Sequence, residues 1–364
     1  MISLAKIIYM KLHKLLVCIP LFSILLMACN PKKVEQSNDF KKGDLLTNMA
    51  TVIQNDYQLL LDEVIKFESG YNQFLNSKSQ TDFDTAKVRW ERSYMKWQSV
   101  LAYDFGPGME NNLKTNLGTF PTDTLKVVNY IKENKYDLTT ISSNVAKGFH
   151  VFDFLLNREN AIGYFNDKNY NDYGVAVISY IKTLIQNTIS GWNTYQTTFI
   201  TSTGTESTSA FSMFVNDYIK AYEECKWTKV GIPLGKQSLD VVQPTYIETP
   251  RAKITWKLLI ANIKAVKRQF NGDMQSGKQG IGFDDYLKAV NKSDLVSTIN
   301  KEFDAIITTV QGFNQDLETM LSNPSKKKQV DDLYTQIHNL TIHLKTDMTA
   351  AFGIMITYQD NDGD

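Results

Sequence analysis

The sequence predicts an all-α protein. Apolar residues recur at i, i+3 and i+4 over eight long segments, the pattern of helices that bury one face. Strand-like alternation is scarce, and the eight prolines lie outside these segments or at their margins, where they do not break a helix. The predicted helices are 45–75, 83–103, 138–156, 173–199, 210–224, 254–270, 295–321 and 330–358.

The first residues predict an export signal rather than part of the fold. Lysines precede an apolar run at 15–27, and Leu26-Met27-Ala28-Cys29 has the form of a lipoprotein cleavage site. Residues 1–28 are therefore predicted to be a signal peptide and Cys29 to be acylated, with 29–43 as a flexible tether. The alternative is an uncleaved anchor, but the apolar run is shorter than the roughly 20 residues that span a bilayer.

The charge and the cysteine content of the chain limit the kinds of partner that it is expected to have. Removing 1–28 takes away three lysines and no acid, which leaves 39 minus 3, or 36, basic side chains against 39 acidic ones. No concentrated basic face is evident, so nucleic acid is not expected as a partner. Cys225 is then the only cysteine besides Cys29, and no disulfide framework is expected. The membrane, contacted through Cys29, is the predicted partner, and an outer-membrane lipoprotein that faces the periplasm is the predicted location.

The chain also carries an internal repeat. Trp90 is matched by Trp256 at an offset of 166 (256 minus 90), and Gly148-Phe149-His150 is matched by Gly312-Phe313-Asn314 at an offset of 164 (312 minus 148). Such steady offsets predict two pseudo-repeated four-helix-bundle-like domains. Their predicted bounds are 44–200 and 209–364, because the Ser/Thr/Gly-rich residues between them favour an exposed connection.

The stretch 148–153, Gly-Phe-His-Val-Phe-Asp, lies in the first of these domains and is the strongest candidate site. His150 and Asp153 have i, i+3 spacing, which places imidazole and carboxylate on one helix face. That pair is half of a site for zinc or iron. The alternative is a buried histidine that is hydrogen-bonded within the core. The second half of the chain has Asn314 in place of His150, so the fold itself does not require histidine there.

These residues resemble the imelysin-like family, whose hallmark is a Gly-x-His-x-x-Glu motif, here with Asp153 in place of glutamate. Further similarity lies in Phe105-Gly106-Pro107, Phe120-Pro121-x-Asp123, Lys229-Val230-Gly231-Ile232-Pro233 and Glu248-x-Pro250. The resemblance covers most of the mature chain. It implies two related helical bundles with the histidine motif near a cleft between them, a link to periplasmic iron handling and its uptake partners, and a reported peptidase activity.

The chain departs from the family pattern in its second helix. Where relatives often place Arg, Tyr and Glu, this chain has Tyr94, Trp97 and Leu101, so a carboxylate is lost. The shorter Asp153 also moves its oxygens by a distance that a metal bond does not tolerate without movement of the helix.

Three functions remain open at this point. The first is an accessory protein that binds iron, zinc or a metal chelate through His150 and Asp153, with Asp104, Glu110, Asp123 or Glu248 contributed by loops. The second is a binding module that has lost the metal and recognises a small ligand or a protein. The third, a metallopeptidase, has the least support, because the chain has no His-Glu-x-x-His motif.

Overall fold

The structure, a computed structural model, describes residues 40–358 and confirms the all-α prediction, with no strand in this range. The predicted signal peptide 1–28, the lipidation site Cys29 and most of the tether lie outside the described residues, as do 359–364. No helix within the described range is long and apolar enough to cross a membrane.

The first half contains two very long helices, one of intermediate length and several short ones. In chain order they are α1 (Lys42–Ser77), α2 (Gln80–Trp97), α3 (Pro107–Glu110), α4 (Leu113–Gly118), α5 (Thr124–Glu133), α6 (Val151–Asn157), α7 (Ala161–Tyr164) and α8 (Lys168–Thr201), with a 3₁₀ turn at Ile141–Ala146.

The second half repeats this mixture of long and short helices. They are α9 (Ala210–Lys226), α10 (Ile232–Leu234), α11 (Thr255–Phe270), α12 (Phe283–Ala289), α13 (Ser293–Gln311), α14 (Leu317–Leu321), α15 (Pro324–Ile342) and α16 (Thr349–Phe352). A 3₁₀ turn lies at Pro244–Tyr246, and π-helical turns lie at Trp227–Gly231 and His343–Met348.

Two of the predicted helices are wrong as continuous elements. Residues 138–156 do not form a continuous helix, because the backbone of Gly148 has a left-handed φ of +84° and separates the 3₁₀ turn from α6. An α-helix does not accommodate that conformation. The predicted helix 295–321 is likewise interrupted after Gln311, and the sequence pattern missed α5 and α12.

Each half buries the apolar faces of its long helices against one another. In the first half α1 packs along α2 and α8, and in the second α11 and α15 flank α13. The two sets share one hydrophobic core: the ring of Phe214 on α9 lies 5.7 Å from that of Phe105 and 6.1 Å from that of Phe199. Residues 40–358 accordingly belong to one compact unit. The domain bounds 44–200 and 209–364 stay a prediction.

A buried polar cluster also joins the halves. Asp56 on α1 is fully buried and accepts hydrogen bonds from Tyr103 at 2.7 Å and from Arg268 of α11 at 2.5 Å. Gln275 donates to the other carboxylate oxygen at 2.8 Å. A buried carboxylate needs such partners, so α11 is held against α1 in one position.

An equivalent contact occurs in both halves. The indole nitrogen of Trp90 donates to the backbone oxygen of Phe149 at 3.0 Å, and that of Trp256 donates to the backbone oxygen of Gln315 at 2.9 Å. The donors and the acceptors have the same sequence offset, 166 in each case (256 minus 90, 315 minus 149). The contact is common to the two halves, and the pseudo-repeated domains stay a prediction.

Candidate functional site

Gly148 directs the chain into the site. A Cβ atom at this position would lie 2.4 Å from the backbone oxygen of Leu117, and the positive φ also disfavours any other residue. The next residue, Phe149, donates its backbone N–H to the same Leu117 oxygen at 3.1 Å. This close approach places His150 immediately before the first residue of α6, where it is only 4% exposed.

Both ring nitrogens of His150 already have partners. Nε2 lies 3.0 Å from the backbone oxygen of Gly118, and Nδ1 lies 2.7 Å from the hydroxyl oxygen of Tyr94. A backbone oxygen can only accept, and the single hydroxyl proton of Tyr94 is donated to Glu248, so neutral His150, which has one N–H, can donate in only one of these two contacts. The ring is also stacked on Phe120, with ring centres 5.0 Å apart.

Tyr94 links His150 to a buried ion pair. Its hydroxyl donates to Oε1 of Glu248 at 2.7 Å, and Oε2 of the same carboxylate accepts from Lys229 Nζ at 2.5 Å. The side chains of Lys229 and Glu248 are only 3% and 5% exposed. His150, Tyr94, Glu248 and Lys229 therefore form one continuous group, which we call the polar chain.

The local backbone explains how Lys229 reaches the site. It lies in the π-helical turn Trp227–Gly231, which continues α9. Pro233 follows four residues after Lys229 and has no N–H with which to bond the Lys229 oxygen, so an α-helix cannot continue regularly through this point. A π-helical turn shifts the side-chain register. In this protein the π-helical turn contains Lys229, and the side chain of Lys229 points towards Glu248.

Burial and neighbouring charges shift the pKa values in the polar chain. Burial lowers the pKa of His150 to about 4; Glu248 opposes this shift and Lys229 adds to it. Burial alone would raise the pKa of Glu248, but Lys229 and His150 hold it below its ordinary value. Burial and the adjacent Glu248 raise the pKa of Tyr94. At neutral pH the chain thus contains a neutral imidazole, a neutral phenol, a carboxylate and an ammonium group.

Asp153 has different partners from His150. Its Oδ1 accepts from the backbone N–H of Ala252 at 2.8 Å, and its Oδ2 lies 3.6 Å from a guanidinium nitrogen of Arg251. Burial raises the pKa of Asp153, while these partners counteract the shift. The aspartate therefore attaches α6 to the loop before α11 and makes no hydrogen bond to His150 in the described structure.

His150, Asp153 and Glu248 meet at one cavity of about 410 Å³, which we call the outer cavity. The remaining lining residues are Phe120, Pro121, Thr122, Thr124, Pro244, Thr245, Ile247, Pro250, Arg251 and Glu318. Most of these residues come from two loops, 119–124 and 244–251. The cavity therefore lies where the first half of the chain meets the second.

Of the six residues predicted for the site, three are brought together and three are not. Asp104, Glu110 and Asp123 do not line the outer cavity. Asp123 is exposed and caps α5 by accepting from the backbone N–H of Lys126 at 2.9 Å. Asp104 lies near Asp217, whose pKa is raised by burial and then by Asp104, and near Lys114, where Asp104 opposes the lowering of the pKa by burial. Glu110 is exposed near Tyr195.

The residues present do not fit a directly coordinated metal ion. No group of three or more His, Cys, Asp or Glu side chains suited to a metal occurs within residues 40–358. The nitrogens of His150 contact Gly118 and Tyr94, and the oxygens of Glu248 are held by Tyr94 and Lys229. The ammonium group of Lys229 lies beside Glu248 and supplies the positive charge that a metal ion would otherwise provide there.

Sequence reasoning missed two members of the polar chain. Tyr94 was noted only as a departure in the second helix, and Lys229 only as part of a motif. The signal that could have identified Lys229 is the Pro233 that follows it, because a proline four residues after a lysine disturbs the helix at that lysine. Nothing in the spacing of Tyr94 indicates that it would lie between His150 and Glu248.

The fold and the site define an all-α protein whose halves share one core and meet around a buried histidine. The chain belongs to the imelysin family: the pattern that defines Imelysin (Peptidase_M75) matches residues 53–344. This confirms the resemblance seen in the sequence. No curated protein matches the chain.

Two solved structures have the same fold. An imelysin-like protein from Psychrobacter arcticum 273-4 is 16% identical with a TM-score of 0.71, over 87% of this chain and 97% of that one. A protein from Parabacteroides distasonis ATCC 8503, whose name includes the words "iron-regulated protein A precursor", is 15% identical with a TM-score of 0.69, over 85% of this chain and 96% of that one. At these identities the likeness shows the fold alone.

Replacing Lys229 with methionine is expected to destabilise the protein by roughly 3–5 kcal/mol, because Glu248 would be left buried without a counter-ion. Chemical denaturation measures the effect. Lys257→Met is the matched control, since Lys257 forms an ion pair with Glu91 but is 59% exposed. Such exposed pairs contribute about 0–1 kcal/mol. Adding Glu248→Gln to Lys229→Met should recover part of the loss. Equal effects of the two lysine substitutions would contradict this account.

Acid should weaken the fold through His150. Its folded-state pKa of about 4 lies below the ordinary value of 6.5, so the unfolded chain binds more protons between these values. The contribution is fully present above pH 6.5 and is lost as the pH falls towards 4, by roughly 3 kcal/mol. Unfolding free energies of the wild type and His150→Gln, measured from pH 7.5 to 4, should therefore converge. Parallel curves would show that His150 does not contribute in this way.

Proposed function

We propose that this protein takes part in iron handling at the cell envelope by binding an iron chelate in the outer cavity, without direct coordination of the ion. The observation that carries the proposal is that the donor atoms of His150, Asp153 and Glu248 are already bonded within the protein. Side chains whose donor atoms already have partners do not coordinate a metal directly, but they can recognise a ligand by its shape, charge and hydrogen bonds. The iron-regulated name of one structural relative supports the link to iron.

The outer cavity has features that suit a chelate rich in oxygen atoms. Arg251 lines it, and its side chain is 36% exposed, so the guanidinium group can donate to a ligand while it remains near Asp153. Thr122, Thr124 and Thr245 supply hydroxyl groups. A volume of about 410 Å³ lies within the range of small-ligand sites. The second function considered from the sequence is a module that has lost its metal and binds a small ligand or a protein; in its small-ligand form it differs from this proposal only in the ligand.

The predicted lipid anchor gives this function a location. We infer from Leu26-Met27-Ala28-Cys29 that Cys29 is acylated and holds the protein at the outer membrane, facing the periplasm. The tether then connects the anchor to the helices that begin at Lys42.

A Cys29→Ser variant tests the anchor. It should move the protein from the membrane fraction to the soluble fraction, because loss of the acylation site removes the attachment. Immunoblots of fractionated cells measure this. Protease treatment of intact cells addresses the orientation: loss of the wild-type protein under that treatment would contradict a periplasmic orientation.

The chelate itself is tested by calorimetry on the purified mature protein. We expect ferric citrate to bind, and Arg251→Gln to weaken that binding by about tenfold, the scale of a lost charge-assisted hydrogen bond. Lys253→Gln is the matched control, because Lys253 is a neighbouring, 54% exposed cation that does not line the cavity.

Two outcomes would contradict the proposal. One is the absence of binding to ferric citrate and to other ferric chelates. The other is tight binding of free zinc or iron that is lost in His150→Ala, which would show that His150 coordinates the ion directly.

A further inference from the structure

A second cavity lies on the other side of the polar chain. It has a volume of about 250 Å³ and shares Phe120, His150 and Glu248 with the outer cavity, so these three side chains form a wall between the two. We call it the inner chamber. Its other lining residues are Trp97, Leu101, Lys114, Gly118, Ala221, Glu224, Cys225, Thr228 and Lys229.

The fixed charges of the inner chamber add up to zero. Lys229 and Glu248 form the buried ion pair described above, and Lys114 forms a second pair with Glu224. His150 adds no charge at neutral pH, because burial lowers its pKa. A ligand with a net charge would be buried here without a counter-ion, which is costly. The chamber therefore favours a ligand whose own charges cancel.

The two ion pairs differ in how easily they can be separated. Lys229 and Glu248 are almost fully buried, whereas the side chains of Lys114 and Glu224 are 25% and 37% exposed. Because an exposed pair contributes little stability, Lys114 and Glu224 can part and each take a partner from a ligand. Burial lowers the pKa of Lys114 to about 8, so an additional carboxylate partner would stabilise its charged form.

Apart from Thr228, the rest of the wall is largely apolar. Trp97 and Ala221 are buried, and the side chain of Leu101 contributes a third hydrocarbon surface. At about 30 Å³ for each water in the liquid, a volume of 250 Å³ corresponds to about eight waters. That space suits a short hydrocarbon chain joined to one pair of charged groups.

We propose that the inner chamber is a second binding site, for a small zwitterion with an apolar side chain, the size of an apolar α-amino acid. The carboxylate of the ligand pairs with Lys114, its ammonium group with Glu224, and its side chain lies against Trp97 and Leu101. This site is separate from the chelate site and does not depend on it.

The test is calorimetric titration of the purified mature protein with L-leucine, L-isoleucine, L-valine and L-phenylalanine. At least one should bind. Removal of one charge from the ligand should then weaken binding by about tenfold or more, because Lys114 or Glu224 loses its charge-assisted contact with the ligand. For leucine the analogues are 3-methylbutylamine, which lacks the carboxylate, and 4-methylpentanoate, which lacks the ammonium group.

Variants of the protein complete the test. Glu224→Gln should weaken binding by about tenfold, and Leu101→Trp should abolish it by filling the chamber. Glu91→Gln, which removes an ion-paired glutamate that lines neither cavity, should bind as the wild type does. The proposal is overturned if none of the four amino acids binds, if an analogue with one charge binds as well as leucine, or if Glu224→Gln binds as the wild type does.

Discussion

The ion pair between Lys229 and Glu248 is the interaction on which the site depends. Both side chains are almost completely buried, so neither charge is tolerated without the other. The pair joins the π-helical turn after α9 to the loop before α11, and Glu248 in turn fixes the hydroxyl of Tyr94 beside His150. Four side chains from separate parts of the chain thus hold one another in a single arrangement. The histidine motif is best understood as the end of this polar chain.

The sequence predicted the long helices well, because their apolar faces repeat over many turns and no other structure satisfies that pattern. It failed where the pattern was ambiguous. The predicted helix 138–156 is helical only from Val151 onward, because the left-handed backbone of Gly148 separates that part from the 3₁₀ turn before it. Glu248 was identified as a candidate for the site from its motif. Lys229 and Tyr94 were missed, because pairing between residues far apart in sequence leaves no local periodicity.

The equivalent tryptophan contacts show what the two halves share and where they differ. The indole nitrogens of Trp90 and Trp256 each donate a hydrogen bond to the backbone oxygen of a loop residue 59 positions later in the chain. The loop that Trp90 holds continues into His150, whereas the loop that Trp256 holds continues into Asp316, the residue that the same offset of 166 (316 minus 150) pairs with His150. Within residues 40–358, the same tryptophan contact is thus followed by a buried histidine in the first half and by the aspartate that caps α14 in the second. This asymmetry indicates that the histidine is not required by the fold, because the same kind of contact forms without it.

The departures from the family pattern acquire a physical meaning in the structure. Leu101, which the sequence comparison predicts as a departure, lines the inner chamber with hydrocarbon, and Tyr94 supplies a neutral hydroxyl between His150 and Glu248. The carboxylate that lines both cavities, Glu248, is neutralised by Lys229. Because the site has few unpaired anionic groups and contains the ammonium group of Lys229, we expect it to bind a bare metal cation weakly. It retains two cavities that can recognise ligands by shape and hydrogen bonding, and their common wall is the histidine motif itself.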